Sequence, residues 1–356
     1  MDDARPWLIY GATGTTGRLV VEAALAHGQR PILAGRDAAG LHALAGRHGL
    51  EAAVVSLDDR TGLEAALRRA SRVLHAAGPY GRTAGPMRAA CLATATPYLD
   101  LSGEVESVAA TLALDDAARA RGIPLIAGAG FGVTAGDCIA AHVARRYPRA
   151  TRLSIGIDAR NARRSAAAAQ STLDVLGGGG AWIASGRLVR GPLARHRFRA
   201  TLAGRRRTFV AAPLAEALAA FHTTGIANVV AGVPVPRLVA PVMRAFAPLL
   251  QALARRPAIR RFVISRGRAA PEPAPAAGPA TPVRSGVWAR AADDQGGVSA
   301  ELEMGEGYGF AAEAIVLAAQ ALDERPLAGA FTPAAAFGAD FVLKIPGVVR
   351  RDGGDQ

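Results

Sequence analysis

The stretch Trp7-Leu8-Ile9-Tyr10-Gly11-Ala12-Thr13-Gly14-Thr15-Thr16-Gly17-Arg18 decides how the chain folds. Four apolar residues stop abruptly at a glycine, which predicts a short buried strand. Beyond the turn, Leu19, Val20, Ala23 and Ala24 fall on one stripe and predict an amphipathic helix. Gly11, Gly14 and Gly17 punctuate the turn between them. Glycine suits a turn where a dinucleotide pyrophosphate must approach the backbone and the helix must lie tight on the strand. The free N–H groups and positive end of that helix would hold the phosphates. Thr13, Thr15 and Thr16 add hydroxyl donors and a candidate cap.

The next segment, Arg30-Pro31-Ile32-Leu33-Ala34-Gly35-Arg36-Asp37, predicts a second strand ending at Arg36. In such a unit the tip of the second strand meets the adenosine ribose. A carboxylate there binds two free hydroxyls, whereas a guanidinium suits a 2′-phosphate. Arg36 therefore predicts NADP(H), and Asp37, one residue later, is the competing reading for NAD(H).

Strand–helix alternation continues. Helices are expected over 41–48, 61–70, 86–95 and 105–120, and strands over 53–55, 72–77, 96–100 and 123–127. Units of this length force parallel strands joined by right-handed crossovers, giving a Rossmann-type doubly wound parallel sheet with ligands at the carboxyl ends of its strands. Residues after those ends are the candidates. Asp58 either accepts from the adenine amine or caps the next helix. Ala77, Gly78 and Pro79 lie beside the expected nicotinamide ribose, followed by Tyr80. Asp100 and Glu104 follow the fifth strand, and the loop Gly128 to Asp137 follows the sixth.

From Thr151 the texture changes. Arg152 to Asp158 alternates like an antiparallel strand, 165–176 reads as a helix, and Arg197 to Val210 reads as a strand pair turning near Gly204. Val235 to Ala254 is apolar, broken by prolines and dotted with arginine. It reads as a kinked covering helix, or as a surface helix resting on a membrane or an acyl ligand. Residues 268–282 read as a loop, Val283 to Met304 as a hairpin, and Gly307 to Leu322 as a helix. The tail after Gly347 is expected to fray. The domains expected are 1–150, a nucleotide-binding Rossmann domain; 151–305, an α+β substrate domain with a mixed or antiparallel sheet; and 306–345, a helix and tail returning to the first.

The 356 residues carry a formal net charge of +13. Nucleic acid is not the expected partner. Lys344 is the only lysine, the arginines are scattered apart from short runs, and aromatics for stacking bases are scarce. No stretch has the length and purity of a membrane span. Met1 to Arg5 leads straight into the first strand, so no signal peptide is expected. Two cysteines imply no disulfide framework, and a cytoplasmic setting is expected. No His, Cys and Asp grouping has zinc spacing, so no metal is expected. G-x-S-x-G and Tyr-x-x-x-Lys are both absent.

The glycine turn, Ala76-Ala77-Gly78-Pro79-Tyr80, Tyr98-Leu99-Asp100-Leu101-Ser102-Gly103-Glu104, Gly130-Phe131-Gly132 and Gly307-Tyr308-Gly309 occur in this order. Together they resemble the saccharopine dehydrogenase-like oxidoreductases, and within them the bacterial trans-acting enoyl reductase branch. The resemblance runs from about residue 7 to about residue 345 and is weakest between Thr151 and Pro282. It implies an NADP-binding Rossmann domain, an inserted α+β substrate domain and pyridine-nucleotide oxidoreduction. It also places Tyr80 and Asp100 at the substrate, where they match the tyrosine and aspartate of saccharopine reductases. His75 stands where the family often has asparagine, and no matched set of arginines for an amino-diacid is evident.

Hydride transfer needs a held nicotinamide, an acceptor carbon within reach and a proton source. Tyr80 is a candidate phenolic donor, or a ring packed under the nicotinamide. Asp100 is a candidate acid, base or substrate-orienting group, or an acceptor for neighbouring loop N–H groups. Glu104 reads as a carboxylate complementing a helix dipole. His75 reads as structural, Asp137 as a cap and Cys138 as a packed thiol. The expectation is an NADP(H)-dependent reductase of a C=C or C=N bond in an apolar or acyl-thioester substrate, free or carrier-bound. A non-enzymatic NADP(H)-binding sensor or scaffold, and a saccharopine reductase-like enzyme acting on an amino acid imine, are the alternatives. Peripheral membrane contact and a homodimer stay open.

Overall fold

The computed structural model describes residues 5–159, 173, 177–237, 239–269 and 284–353. The chain forms two compact units. One comprises Met1–Cys138 with Tyr308–Pro346, the other Ile139–Gly307 with Gly347–Gln356.

In the first unit, β1 (Trp7–Tyr10), β2 (Ile32–Gly35), β3 (Ala52–Val54), β4 (Arg72–His75), β5 (Tyr98–Asp100), β6 (Pro124–Ile126) and β15 (Gly329–Phe331) form one sheet. Its order is β15-β6-β5-β4-β1-β2-β3, and every adjacent pair is parallel. This is the doubly wound arrangement expected from the alternation. The order reverses between β1 and β4, which opens a crevice at the carboxyl ends of those two strands. All four residues of β1, β2 and β4 are buried, as strands covered on both faces must be. The seventh strand comes from a three-residue segment late in the chain. So short a run carries no periodicity, and the sequence reading passed over it.

The helices between these strands are α1 (Thr15–Ala26), α2 (Ala38–His48), α3 (Arg60–Arg68), α4 (Tyr80–Thr94), α5 (Val105–Leu112), α6 (Asp115–Arg121) and α7 (Phe131–Arg146). Three helices depart from expectation. The helix expected from Pro86 begins six residues earlier, at Tyr80, with Pro86 accommodated inside its second turn. The helix expected over 105–120 breaks at Leu114, where Asp115 accepts from the Ala330 N–H of β15 (2.8 Å) and the Arg119 guanidinium (2.8 Å). The loop expected up to Asp137 ends at Gly130, because α7 starts at Phe131. Asp137 therefore lies inside α7. It does not cap its own helix; it accepts from the Ala334 N–H (2.8 Å), at the start of the short helix Pro333–Phe337.

The helix Gly307–Glu324 packs into the same unit. Its Glu313 meets His27 at 2.9 Å, and its Ala319 carbonyl and Asp323 take the two ends of the Arg72 guanidinium.

In the second unit a mixed sheet is built from β7 (Arg152–Asp158), β10 (Arg197–Leu202), β11 (Arg205–Ala211), β12 (Val229–Val235), β13 (Ser285–Ala292), β14 (Gly297–Met304) and β16 (Val349–Gly353). Its order is β10-β11-β12-β7-β13-β14-β16. The hairpin β8 (Gly180–Ala184) and β9 (Arg187–Gly191) attaches to β12 through β8. β7 is central. It pairs parallel with β12 and antiparallel with β13, which makes the sheet mixed, one of the two forms expected. The core closes where Phe198 stacks on Phe209 and Trp288, and a Cβ at Gly156 would sit 2.8 Å from the Phe209 ring.

The tail expected to fray is strand β16, paired with β14. Arg351 pairs with Glu303, and Asp352 accepts from His142 at 2.7 Å. The helix expected over 165–176 lies outside the described residues apart from Leu173, and the loop expected over 268–282 lies almost wholly outside them. The apolar stretch Val235 to Ala254 begins at the end of β12 and continues as two helices, Val239–Ala245 and Ala247–Arg255; a third, Pro257–Ala269, follows beyond it, and each of the three has a proline among its first three residues. Among the described residues no helix is long and apolar enough to cross a membrane.

Candidate functional site

The crevice between β1 and β4 is shaped by the glycine turn. Gly11 has φ +87°, and a Cβ on it would press on Ala77 at 2.8 Å, so this position serves the close meeting of the β1 and β4 loops. A Cβ on Gly17 would lie 2.0 Å from the Gly11 carbonyl oxygen, so Gly17 lets α1 rest on the strand. Gly14 differs. It is exposed, and its added Cβ would meet only the Gly11 carbonyl, at 3.3 Å. Two of the three glycines thus serve internal packing, and the third lies exposed at the mouth of the helix.

The helix starts around the sheet are treated unequally. α2 is capped by Asp37, whose carboxylate accepts from the Gly40 N–H (3.1 Å). α3 is capped by Asp59 through the Gly62 N–H (3.0 Å). The start of α4 is capped from a distance: Glu104 accepts from the Tyr80 N–H (2.8 Å) and the Gly81 N–H (2.7 Å). α1 has Gly14 at its cap position, no side-chain cap and no acidic residue in its first turn. Of these four, α1 alone keeps its N-terminal donors and dipole uncompensated, and it is the one at the crevice.

The same capping pattern separates the residues at the sheet edge. Asp37 is committed to α2, which leaves Arg36 exposed at the tip of β2 without an ion-pair partner among the described residues. Asp59 is the cap of α3, and Asp58 instead takes its own N–H and carboxylate to Ser56. Arg36 and Asp58 both act on the buried Tyr10 phenol. Burial raises its pKa, Arg36 opposes the rise and Asp58 adds to it. Gly78 and Pro79 are exposed beside Ala77, and the Ala77 carbonyl accepts from the Thr83 hydroxyl at 2.6 Å. Gly11, Thr13, Gly14, Thr15, Thr16, Gly17, Ala77, Gly78 and Pro79 are thereby gathered around the crevice, with Arg36 and Asp58 on its β2–β3 side.

Tyr80 and Asp100 are drawn inward. The Tyr80 hydroxyl donates to the His75 carbonyl (3.3 Å), and its ring meets the His75 ring edge-on at 5.4 Å. Burial, reinforced by Asp100 and Glu104, holds its pKa well above that of an ordinary phenol. Asp100 is fully buried. One carboxylate oxygen accepts from the Gly128 N–H (2.8 Å) and the Ser102 N–H (3.0 Å), and the other from the Tyr98 hydroxyl (2.7 Å). Its carbonyl also takes the Ala129 N–H (2.7 Å), so this one residue clamps the loops after β5 and β6 together. Burial raises its pKa against those hydrogen bonds.

His75 stands between these groups, its Nδ1 3.2 Å from the Tyr98 hydroxyl. Burial, with Arg88 nearby, pulls its pKa down to about 3, so the imidazole is neutral across the physiological range. Tyr98 and Arg88 were not singled out by the sequence reading. Tyr98 could have been, since a two-residue step in a strand puts it on the same face as Asp100. Arg88 lies on α4, and no local signal shows that it points into the core towards the Ser107 carbonyl and the Thr111 hydroxyl. Cys138 is a buried free thiol. Among the described residues no group of His, Cys, Asp or Glu is arranged to hold a metal ion.

Residues 11–148, which carry this crevice, match the model of an NAD(P)H-binding family. Saccharopine dehydrogenase (L-Glu forming) from Saccharomyces cerevisiae superposes with a TM-score of 0.64 at 13% identity, covering 99% of this chain and 100% of that one. The chain has the saccharopine dehydrogenase fold. At that identity the likeness is one of fold. Among curated proteins, the trans-acting enoyl reductase of Mycobacterium leprae is 40% identical over 105 residues, 28% of this chain and 25% of that protein. The enzyme of the same name from Mycobacterium tuberculosis (strain H37Rv) is 39% identical over 106 residues, again 28% and 25%. The matched segment thus spans about a quarter of the length of these relatives.

Proposed function

We propose that the chain is an NADP(H)-dependent oxidoreductase that delivers hydride from the nicotinamide to a C=C or C=N bond of an apolar or acyl-thioester substrate. The observation that carries this reading is the unequal capping. Asp37, Asp59 and Glu104 satisfy three helix starts and leave α1 open at the β1–β4 crevice, while the commitment of Asp37 leaves Arg36 for a 2′-phosphate. In this reading the first-turn N–H groups of α1, with Gly14, Thr15 and Thr16, hold the pyrophosphate. Arg36 takes the 2′-phosphate, Asp58 the adenine amine, and Ala77, Gly78 and Pro79 line the nicotinamide ribose. Tyr80 and Asp100 act as positioning residues, since both spend their polar groups inside the unit. The enoyl reductases matched over part of the chain favour an acyl C=C bond as the acceptor.

The deciding experiment titrates the protein with NADPH and NADH, following nicotinamide fluorescence, for wild type and Arg36→Ala. Loss of a charge-assisted contact to phosphate is expected to weaken NADPH about 10- to 100-fold and leave NADH unchanged. Equal affinities for the two nucleotides in the wild type would overturn the NADP assignment, and absence of binding would overturn the enzyme reading. The inward commitment of Tyr80 and Asp100 also favours a second reading, a nucleotide-binding sensor. Consumption of NADPH with enoyl thioesters or enones separates the two, because a sensor turns over none of them.

A further inference from the structure

The second unit holds a cavity of ≈ 460 Å³ walled by Pro234, Val235 and Pro236 and ringed by Arg199, Arg206, Arg207 and Arg237. We propose that this cavity is a binding subsite for a phosphate ester, of the class carried by coenzyme A and pantetheine-phosphate thioesters. Assigning it to the substrate's handle rests on the acyl-thioester reading above; its anion chemistry does not.

The strand register gathers three of these arginines. Arg199 pairs with Thr208, and Arg206 with Thr201, so Arg199, Arg206 and Thr208 share one face of the β10–β11 hairpin. Thr208 in turn pairs with Val235 of β12, and Arg237 follows two residues later. Of the four cations only Arg207 has an acidic partner among the described residues, Asp158 at 3.2 Å, and no carboxylate lines the cavity. Between Asp174 and Glu272 the only acidic residue is Glu216, which is buried. Guanidinium groups that line one cavity with no carboxylate among its lining residues repel one another, and a bound anion relieves that repulsion. Their planar forks match phosphate oxygens in pairs. The volume falls within the range of small-ligand sites.

An apolar surface adjoins it. Ala240 and Met243 of the helix Val239–Ala245 pack on Val210, Val233 and Val235, on the cavity's side of the sheet. Val239, which opens that helix with its N–H donating to the Pro236 carbonyl, is exposed, as are Phe246 and Leu249 further along. A phosphate set beside the exposed Val239 side chain, at the start of an apolar helix, is the pattern a charged handle with an apolar chain would need.

The test is calorimetric titration of NADP⁺-saturated protein with coenzyme A, so that the adenosine site cannot answer. Pantetheine without phosphate and adipate serve as competing probes. The variant is Arg206→Gln with Arg237→Gln; both side chains are exposed, so the melting temperature is expected to hold. Coenzyme A is expected to bind at least tenfold more weakly to the double variant, and pantetheine at least tenfold more weakly than coenzyme A to the wild type. No coenzyme A binding at millimolar concentration, an unchanged isotherm in the variant, or a preference for adipate would each overturn the proposal. Sedimentation with phosphatidylglycerol vesicles without coenzyme A binding would overturn it in favour of a lipid surface. A flat isotherm with intact NADPH binding and turnover removes the subsite alone. Binding here with no turnover of any thioester removes the reductase reading alone.

Discussion

Gly14 and Gly17 look alike in the sequence and differ in what they serve. A methyl on Gly17 meets backbone at 2.0 Å, so Gly17→Ala is expected to destabilise the protein by about 3 kcal/mol, at the upper end of overpacking costs, in urea unfolding. Gly14 has φ −71° and a Cβ there would meet only the Gly11 carbonyl, at 3.3 Å, so Gly14→Ala is expected to cost no more than about 1 kcal/mol while weakening nucleotide binding. Equal destabilisation by the two changes would count against the division of roles. A different residue-scale test lies in the second unit. Glu216 is buried, its Oε2 has no partner among the described residues, and burial raises its pKa from 4.5 to about 7. The folded state therefore disfavours the carboxylate. Below about pH 4.5 it carries no penalty; as pH rises to about 7 the penalty grows to roughly 3 kcal/mol and then stays level. Glu216→Gln is expected to raise stability above pH 7, leave it unchanged near pH 4, and flatten the slope between. Denaturant midpoints across pH would read this out.

At the scale of elements, most of the first unit's strands and helices were legible, because their burial pattern and turn chemistry are local. The missed features involve partners far along the chain. Glu104 looked like a carboxylate for its own helix and instead caps α4. Asp137 caps a helix about 200 residues away, and Asp115 breaks its helix to hold β15. Asp100 joins two loops, and its geometry separates positioning from proton transfer. In Asp100→Asn the amide oxygen can keep the Gly128 and Ser102 N–H groups while the NH2 donates to Tyr98. Positioning predicts stability within about 1 kcal/mol of wild type and turnover within about tenfold. A general-acid role predicts a loss of roughly 100-fold or more at unchanged stability. Steady-state kinetics alongside thermal melts distinguishes them.

For the whole molecule, the last strand is the informative departure. Residues 349–353 read as a polar tail, yet they extend the second unit's sheet along β14 and bring Asp352 to His142 and Arg146. A chain ending at Gly347 leaves β14 as an unpaired edge. It is expected to lower the melting temperature of the second unit by roughly 5 °C while NADPH affinity in the first unit is retained. Calorimetry with nucleotide titration on the shortened chain checks both. An unchanged melting profile would mean that the strand contributes nothing to stability.

The sequence by itself determined the glycine turn, the alternation that makes a parallel sheet with its ligand edge at the carboxyl ends of the strands, and a resemblance that anticipated the fold. Each of these rests on short-range information: a φ only glycine tolerates readily, a hydrophobic period, and helix-length crossovers that suit parallel strands. Only the tertiary structure decided which carboxylate caps which helix, and therefore that Arg36 and the start of α1 are left for a ligand while Tyr80 and Asp100 face inward. It alone gathered Arg199, Arg206 and Arg237 around one cavity. Those outcomes depend on strand register and on contacts between residues distant in sequence, and neither leaves a periodic mark on the chain.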